Sequence, residues 1–197
     1  MNLEVLVEEP SAKEALQALL PRIVPGVRFE IISFDGKENL LRKLPHRLRD
    51  YSRYWASVNL RIVVLVDRDD DDCVALKGQL LKMANEAGLP TEAVVFRIVI
   101  EELEAWFLGD IPAVCAAYPR MPADLAKQAK FRDPEIVPGG TWEALWYALR
   151  KHGYYPLRFP KSVAAAAIAP YMDVESNTSK SFQLFRDGLR RLVNEEN

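Results

Sequence analysis

Apolar residues run unbroken from Ile62 to Val66 and stop at Asp67. A strand with no polar alternation is one covered on both faces, as in a parallel sheet. With Leu60 and Arg61 in front it is the third of four such segments. Leu3–Val7 precedes it, then Val27–Ile32 behind a Pro25-Gly26 turn, and Val94–Ile100 follows. Helical spacing fills the gaps. Ala15, Leu16, Leu19 and Leu20 share one face of a helix, with Ser11 as its expected N-cap. Residues 38–55 read as a second helix with a break expected at Pro45, and 73–87 as a third, closed by Gly88 and Pro90. Strand and helix alternate throughout, which predicts an α/β fold with a mainly parallel sheet flanked by helices.

Beyond residue 101 the strand signal disappears. Helices are expected over Glu102–Leu108, Ile111–Tyr118, Pro122–Gln128, Thr141–His152, Lys161–Tyr171 and Ser179–Asn194, punctuated by prolines. Thr141, after Gly139 and Gly140, is the expected cap of its helix. The predicted organisation is an α/β core over residues 1–108 and an α-helical C-terminal extension over 109–197, packed on that core.

The third strand ends in Asp67-Arg68-Asp69-Asp70-Asp71-Asp72, five carboxylates in six positions. Ligands of open α/β sheets collect at the carboxyl ends of strands, so this charge stands where such a fold does its chemistry. Oxygen-only donors of this kind suit Mg²⁺, Mn²⁺ or Ca²⁺. Asp67 and Asp69 point the same way on an extended chain, and Asp71 extends the candidate metal-binding set. Glu8 and Glu9 follow the first strand and approach the pair if the two strands are neighbours. The later aspartates equally suit a solvated loop favouring the next helix N-terminus.

Composition adds little. Hydrophobic residues make up 49% and charged residues 27%, with a formal net charge of −2, so global charge does not announce a nucleic-acid partner. Cys73 and Cys115 are too few for a disulfide framework, and His46 and His152 lack metal-ligand spacing. A cytoplasmic location is expected: Glu4, Glu8 and Glu9 interrupt the N-terminus, and no apolar run is long enough for a membrane. Neither phosphate-binding glycine pattern is present, so ATP hydrolysis by this chain is not expected.

Leu6-Val7-Glu8-Glu9-Pro10-Ser11-Ala12-Lys13, followed by Asp67-Arg68-Asp69, resembles the Toprim pattern of topoisomerases, primases and overcoming-lysogenisation-defect nucleases. The resemblance implies a Toprim-like sheet, Glu8 as catalytic or ligand carboxylate, and Asp67 and Asp69 as ligands of Mg²⁺ or Mn²⁺. Glu9 departs from the glycine usual there and leaves Glu8 and Glu9 as alternatives. Glu101 to Asp110 (Glu-Glu-Leu-Glu-Ala-Trp-Phe-Leu-Gly-Asp), Pro160-Lys161 and Ser179-Lys180-Ser181-Phe182 are similar to the domain-of-unknown-function family 4276. That family is Toprim-like and often encoded beside an ABC-type ATPase. The similarity implies catalytic roles for Glu104 and Lys161 and a substrate contact at Lys180. Glu101, Glu102 and Glu104 equally suit an exposed first helical turn.

Basic and aromatic residues alternate from His46 to Trp55, and Arg47 and Arg53 are the candidates there for binding a nucleic-acid backbone. Leu48, Tyr51 and Trp55 in the same stretch also suit a core-facing helix.

The leading expectation is metal-dependent hydrolysis of nucleic acid, DNA ahead of RNA, in bacterial defence or DNA processing. The alternative is a non-catalytic or partner-gated subunit of an ABC-type ATPase complex, and self-association is open to either. A phosphoacceptor receiver is disfavoured, because glutamates rather than a lysine follow the fourth strand.

Overall fold

Residues 1–68, 71–99 and 102–194 are described by the computed structural model; Asp69, Asp70, Ile100 and Glu101 lie outside them. Four strands, β1 (Asn2–Val7), β2 (Arg28–Ser33), β3 (Leu60–Asp67) and β4 (Val94–Val99), alternate with α1 (Pro10–Ile23), α2 (Lys37–Ser52) and α3 (Cys73–Ala87). The sheet has the order β2-β1-β3-β4, and every pairing is parallel. The chain steps from β1 to one side, then returns past it to β3. Right-handed crossovers therefore set α1 on one face and α2 and α3 on the other. The reversal opens a crevice at the carboxyl ends of β1 and β3.

Alternation along β3 divides the apolar material between the faces. Ile62, Val64 and Val66 pack with Leu40, Leu44 and Leu48 of α2 and Leu76 and Leu80 of α3. Val63 and Leu65 turn to α1 and to the carboxyl-terminal half. That half contains α4 (Glu104–Leu108), α5 (Ile111–Ala117), α6 (Thr141–Lys151), α7 (Lys161–Ile168) and α8 (Lys180–Asn194). Trp106, Phe182 and Phe185 are buried in the same cluster as Leu16, Leu19 and Leu20 of α1. No helix among the described residues is long and apolar enough to cross a membrane.

Local chemistry moves several expected boundaries. Pro10 takes the first position of α1, where its missing N–H costs nothing. Glu9 therefore stands at the N-cap, and the Ser11 hydroxyl donates to Glu9 Oε2 instead of capping. Pro45 does not break α2, because the Leu40, Leu44, Leu48 stripe is buried on both sides of it. Gly140, at positive φ, takes the N-cap of α6, and Thr141 becomes its first helical residue. The stretch expected as a helix from Pro122 forms only short 3₁₀ turns at Leu125–Lys127 and Ala129–Phe131. Gly88 closes α3 in the left-handed conformation, as expected.

Candidate functional site

Register fixes the site before any side chain is considered. Val7 stands beside Leu65, and Asp67 beside Val99, so Glu8, Asp67 and Glu102 leave three adjoining strands at one edge. The Glu8 carbonyl accepts from Gly36 N–H at 3.2 Å. Its carboxylate oxygen Oε2 accepts from Asp67 N–H at 3.3 Å. Glu8 is thereby held from the N-cap of α2 on one side and directed to the end of β3 on the other. Glu9 is extended, at φ −121°, a conformation open to any residue, so no glycine is required there. Its carboxylate points elsewhere, toward Lys161 at 4.0 Å.

Lys161, the first residue of α7, gathers the remaining acids. Its Nζ lies 3.3 Å from Glu102 Oε1 and 5.7 Å from the centre of the Trp142 ring. The other Glu102 oxygen accepts from Thr141 Oγ1 at 3.1 Å and Trp142 N–H at 3.4 Å. Glu102 thus fastens the start of α6 and the start of α7 to the end of the sheet.

Glu104 is only 1% exposed, and its Oε1 is buried without a hydrogen-bond partner. Burial drives its carboxyl up from the ordinary value of 4.5 to about 7, with Lys161 opposing the shift and Glu102 and Glu9 adding to it. An exposed first helical turn is therefore not what this residue occupies. Burial works against the charge on Lys161, yet Glu104, Glu9 and Glu102 together hold it above the ordinary lysine range.

The remaining candidates scatter. Asp71 is half exposed and pairs with Lys37 Nζ at 2.9 Å, while Asp72 caps α3. Arg47 lies along α2, donating to Tyr51 Oη at 3.3 Å and standing 5.6 Å from the Phe34 ring centre. Arg53 follows the end of α2 and pairs with the exposed Asp50. The chain from there enters the start of β3, so Arg53 sits roughly 20 Å, about a strand's length, from the carboxyl edge. Neither arginine joins the cluster. Lys180, by contrast, lines a groove of about 920 Å³ together with Arg68 and Arg132. Arg68 comes directly after Asp67, an adjacency visible in the sequence; Arg132 sits in an irregular stretch with no period to reveal its direction.

Carboxylate oxygens from Glu8 and Asp67 at adjoining strand ends fit a hard divalent cation. Among the described residues no three His, Cys, Asp or Glu side chains are grouped to hold a metal ion; the third expected ligand, Asp69, lies outside the described residues. Comparison with known proteins yields one match, a family model described as "Domain of unknown function (DUF4276)", over residues 7–190. No curated protein and no solved structure matches.

Proposed function

The chain belongs to the DUF4276 family, and from the geometry of its strand ends we propose that it hydrolyses phosphodiester bonds in nucleic acid with Mg²⁺ or Mn²⁺. The observation that carries this reading is the Glu8–Asp67 contact, which joins two carboxylate-bearing residues where the strand order reverses. The Toprim resemblance assigns the same residues the same work. Glu8 and Asp67, with Asp69, would hold the ion, which when bound polarises the phosphate and lowers the pKa of a water.

The chain's own cations and acids account for the rest. Lys161 stays protonated among Glu9, Glu102 and Glu104 and offers a fixed positive charge to an anionic phosphate. Glu104 is sealed from solvent and acts on the strand edge through its charge, felt by Lys161, Glu102 and Glu9. Titrating near neutrality, it changes the net charge around that ammonium by one unit. It is a positioning residue whose protonation tunes Lys161.

Supercoiled plasmid and transfer RNA, incubated with the purified protein in Mg²⁺ and then Mn²⁺ beside Asp67→Ala, test this reading. Cleavage that disappears in the variant supports it and names the substrate. Cleavage that persists in the variant overturns it. A second reading, a subunit gated by an ABC-type ATPase, draws support from Leu157, Val163 and Tyr171, apolar side chains left exposed on the helical half. It predicts cleavage only when the partner is co-expressed.

A further inference from the structure

The groove between the end of β3 and the start of α8 has a composition that the carboxylate cluster does not explain. Its lining includes Arg68, Arg132, Glu135, Ile136, Thr178 and Lys180. Arg132 and Lys180 are exposed, and no described residue forms an ion pair or a side-chain hydrogen bond with either. Of the two acids on the same wall, Glu135 is turned inward and Asp133 stays exposed. Glu135 accepts from the Ser179 hydroxyl at 2.8 Å and from Ser181 N–H, and Asp133 accepts from Glu135 N–H at 3.0 Å. Glu135 therefore ties the wall to α8, and the lining sets the cations Arg68, Arg132 and Lys180 against the exposed acid Asp133.

Ile136 stands among these charges, 75% exposed. Its neighbours hold it there: Val137 and Phe131 are buried in the main core. An apolar side chain fixed between cations has little to meet on a duplex, whose outer surface is phosphate and sugar and whose bases are stacked inside. An unpaired strand offers both chemistries at once, phosphates for the cations and the face of a splayed base for the isoleucine.

We propose that this groove receives a single strand of nucleic acid, with its phosphates at Arg68, Arg132 and Lys180 and a base against Ile136. The assignment rests on the nuclease reading and narrows it: a strand laid along the groove passes Arg68 and so comes to Asp67. The recognising chemistry is that of an unpaired polynucleotide, and deoxyribose and ribose strands form separate arms of the test.

Fluorescence anisotropy in EDTA, with labelled single-stranded DNA, single-stranded RNA and a blunt DNA duplex, reads the groove without any hydrolysis. At least one single strand binds more tightly than the duplex. Arg132→Ala/Lys180→Ala weakens that binding about ten-fold or more and lowers the slope of log affinity against log salt by about 0.7 per cation removed. Ile136→Ala weakens binding without changing the slope. All three positions are exposed, and thermal melting confirms that the variants fold. Equal or tighter binding of the duplex, no binding of either strand, or binding indifferent to the double substitution overturns the proposal. Cleavage surviving in Asp67→Ala would instead overturn the nuclease reading while leaving these binding results intact.

Discussion

Glu8 Oε2 accepts a hydrogen bond from the main-chain N–H of Asp67 at 3.3 Å, so the carboxylate at the end of one strand is steered by the backbone of its neighbour. The contact spares the Asp67 side chain. Asp67→Asn keeps the N–H and hence the orientation of Glu8, while removing a charged oxygen donor. Its melting temperature should stay close to wild type. Its cleavage rate should fall by more than the roughly 10–100-fold that loss of a supporting partner costs a metal site. Plasmid nicking in Mn²⁺ measures the second quantity and differential scanning calorimetry the first.

Glu104 carries a pH dependence whose sign is fixed. Its folded value of about 7 lies above the ordinary 4.5. The folded state therefore favours the protonated form, and the associated stability, present below 4.5, is lost as pH rises toward 7. The loss integrates to roughly 3 kcal/mol. Glu104→Gln cannot ionise and should show a correspondingly smaller decline over that window. Urea denaturation across the range decides it; parallel curves for the two proteins would contradict this burial.

Lys161 faces three carboxylates and is their common cation. Lys161→Ala removes a charge-assisted bond to Glu102, worth about 2 kcal/mol. The cost should be larger above pH 7 than below pH 4.5, because Glu104 is then ionised. A stability loss independent of pH would show that the ammonium and the buried acid are not coupled.

Gly109 makes a purely steric prediction. A Cβ added there would lie 2.7 Å from Ser179 N and closer still to Asn177 Oδ1. Asn177 is fully buried, with its amide donating to the Trp106 carbonyl at 2.8 Å, so it cannot yield without stranding that bond. Gly109→Ala should cost about 1–3 kcal/mol by overpacking, measured by denaturant midpoint. Gly78→Ala, with nothing within 4 Å of its added Cβ, should not.

What could be read from the chain follows from how local each cause is. The four strands were legible because a parallel strand buried on both faces announces itself as an apolar run. Asp67 was legible because charge follows that run directly. Glu104 was read toward function only through resemblance. Its burial comes from α5 and α6 packing on α4, and its opposing charge from Lys161, 57 positions away, which no window of helical spacing contains. Thr141 looked like a cap because two glycines precede it, and the competing pull of Glu102 lies far back in the chain. The groove at Arg132 was hidden for a related reason: turns without period give no direction to their side chains.

The packing of α8 beside α1 has a consequence for the order in which the molecule can be completed. Arg190 donates to the Ile23 carbonyl at 3.2 Å, and Phe182, Phe185 and Leu189 share one core with Leu16, Leu19 and Leu20. On the ribosome the first helix therefore emerges, together with the strands it packs on, long before the last contributors to their shared core. A chain released before Lys180 would lack Phe182, Phe185 and Leu189 from that shared core. The amino-terminal sheet is thus a scaffold completed by a helix made long after it, and the groove wall at Lys180 comes into being in the same step.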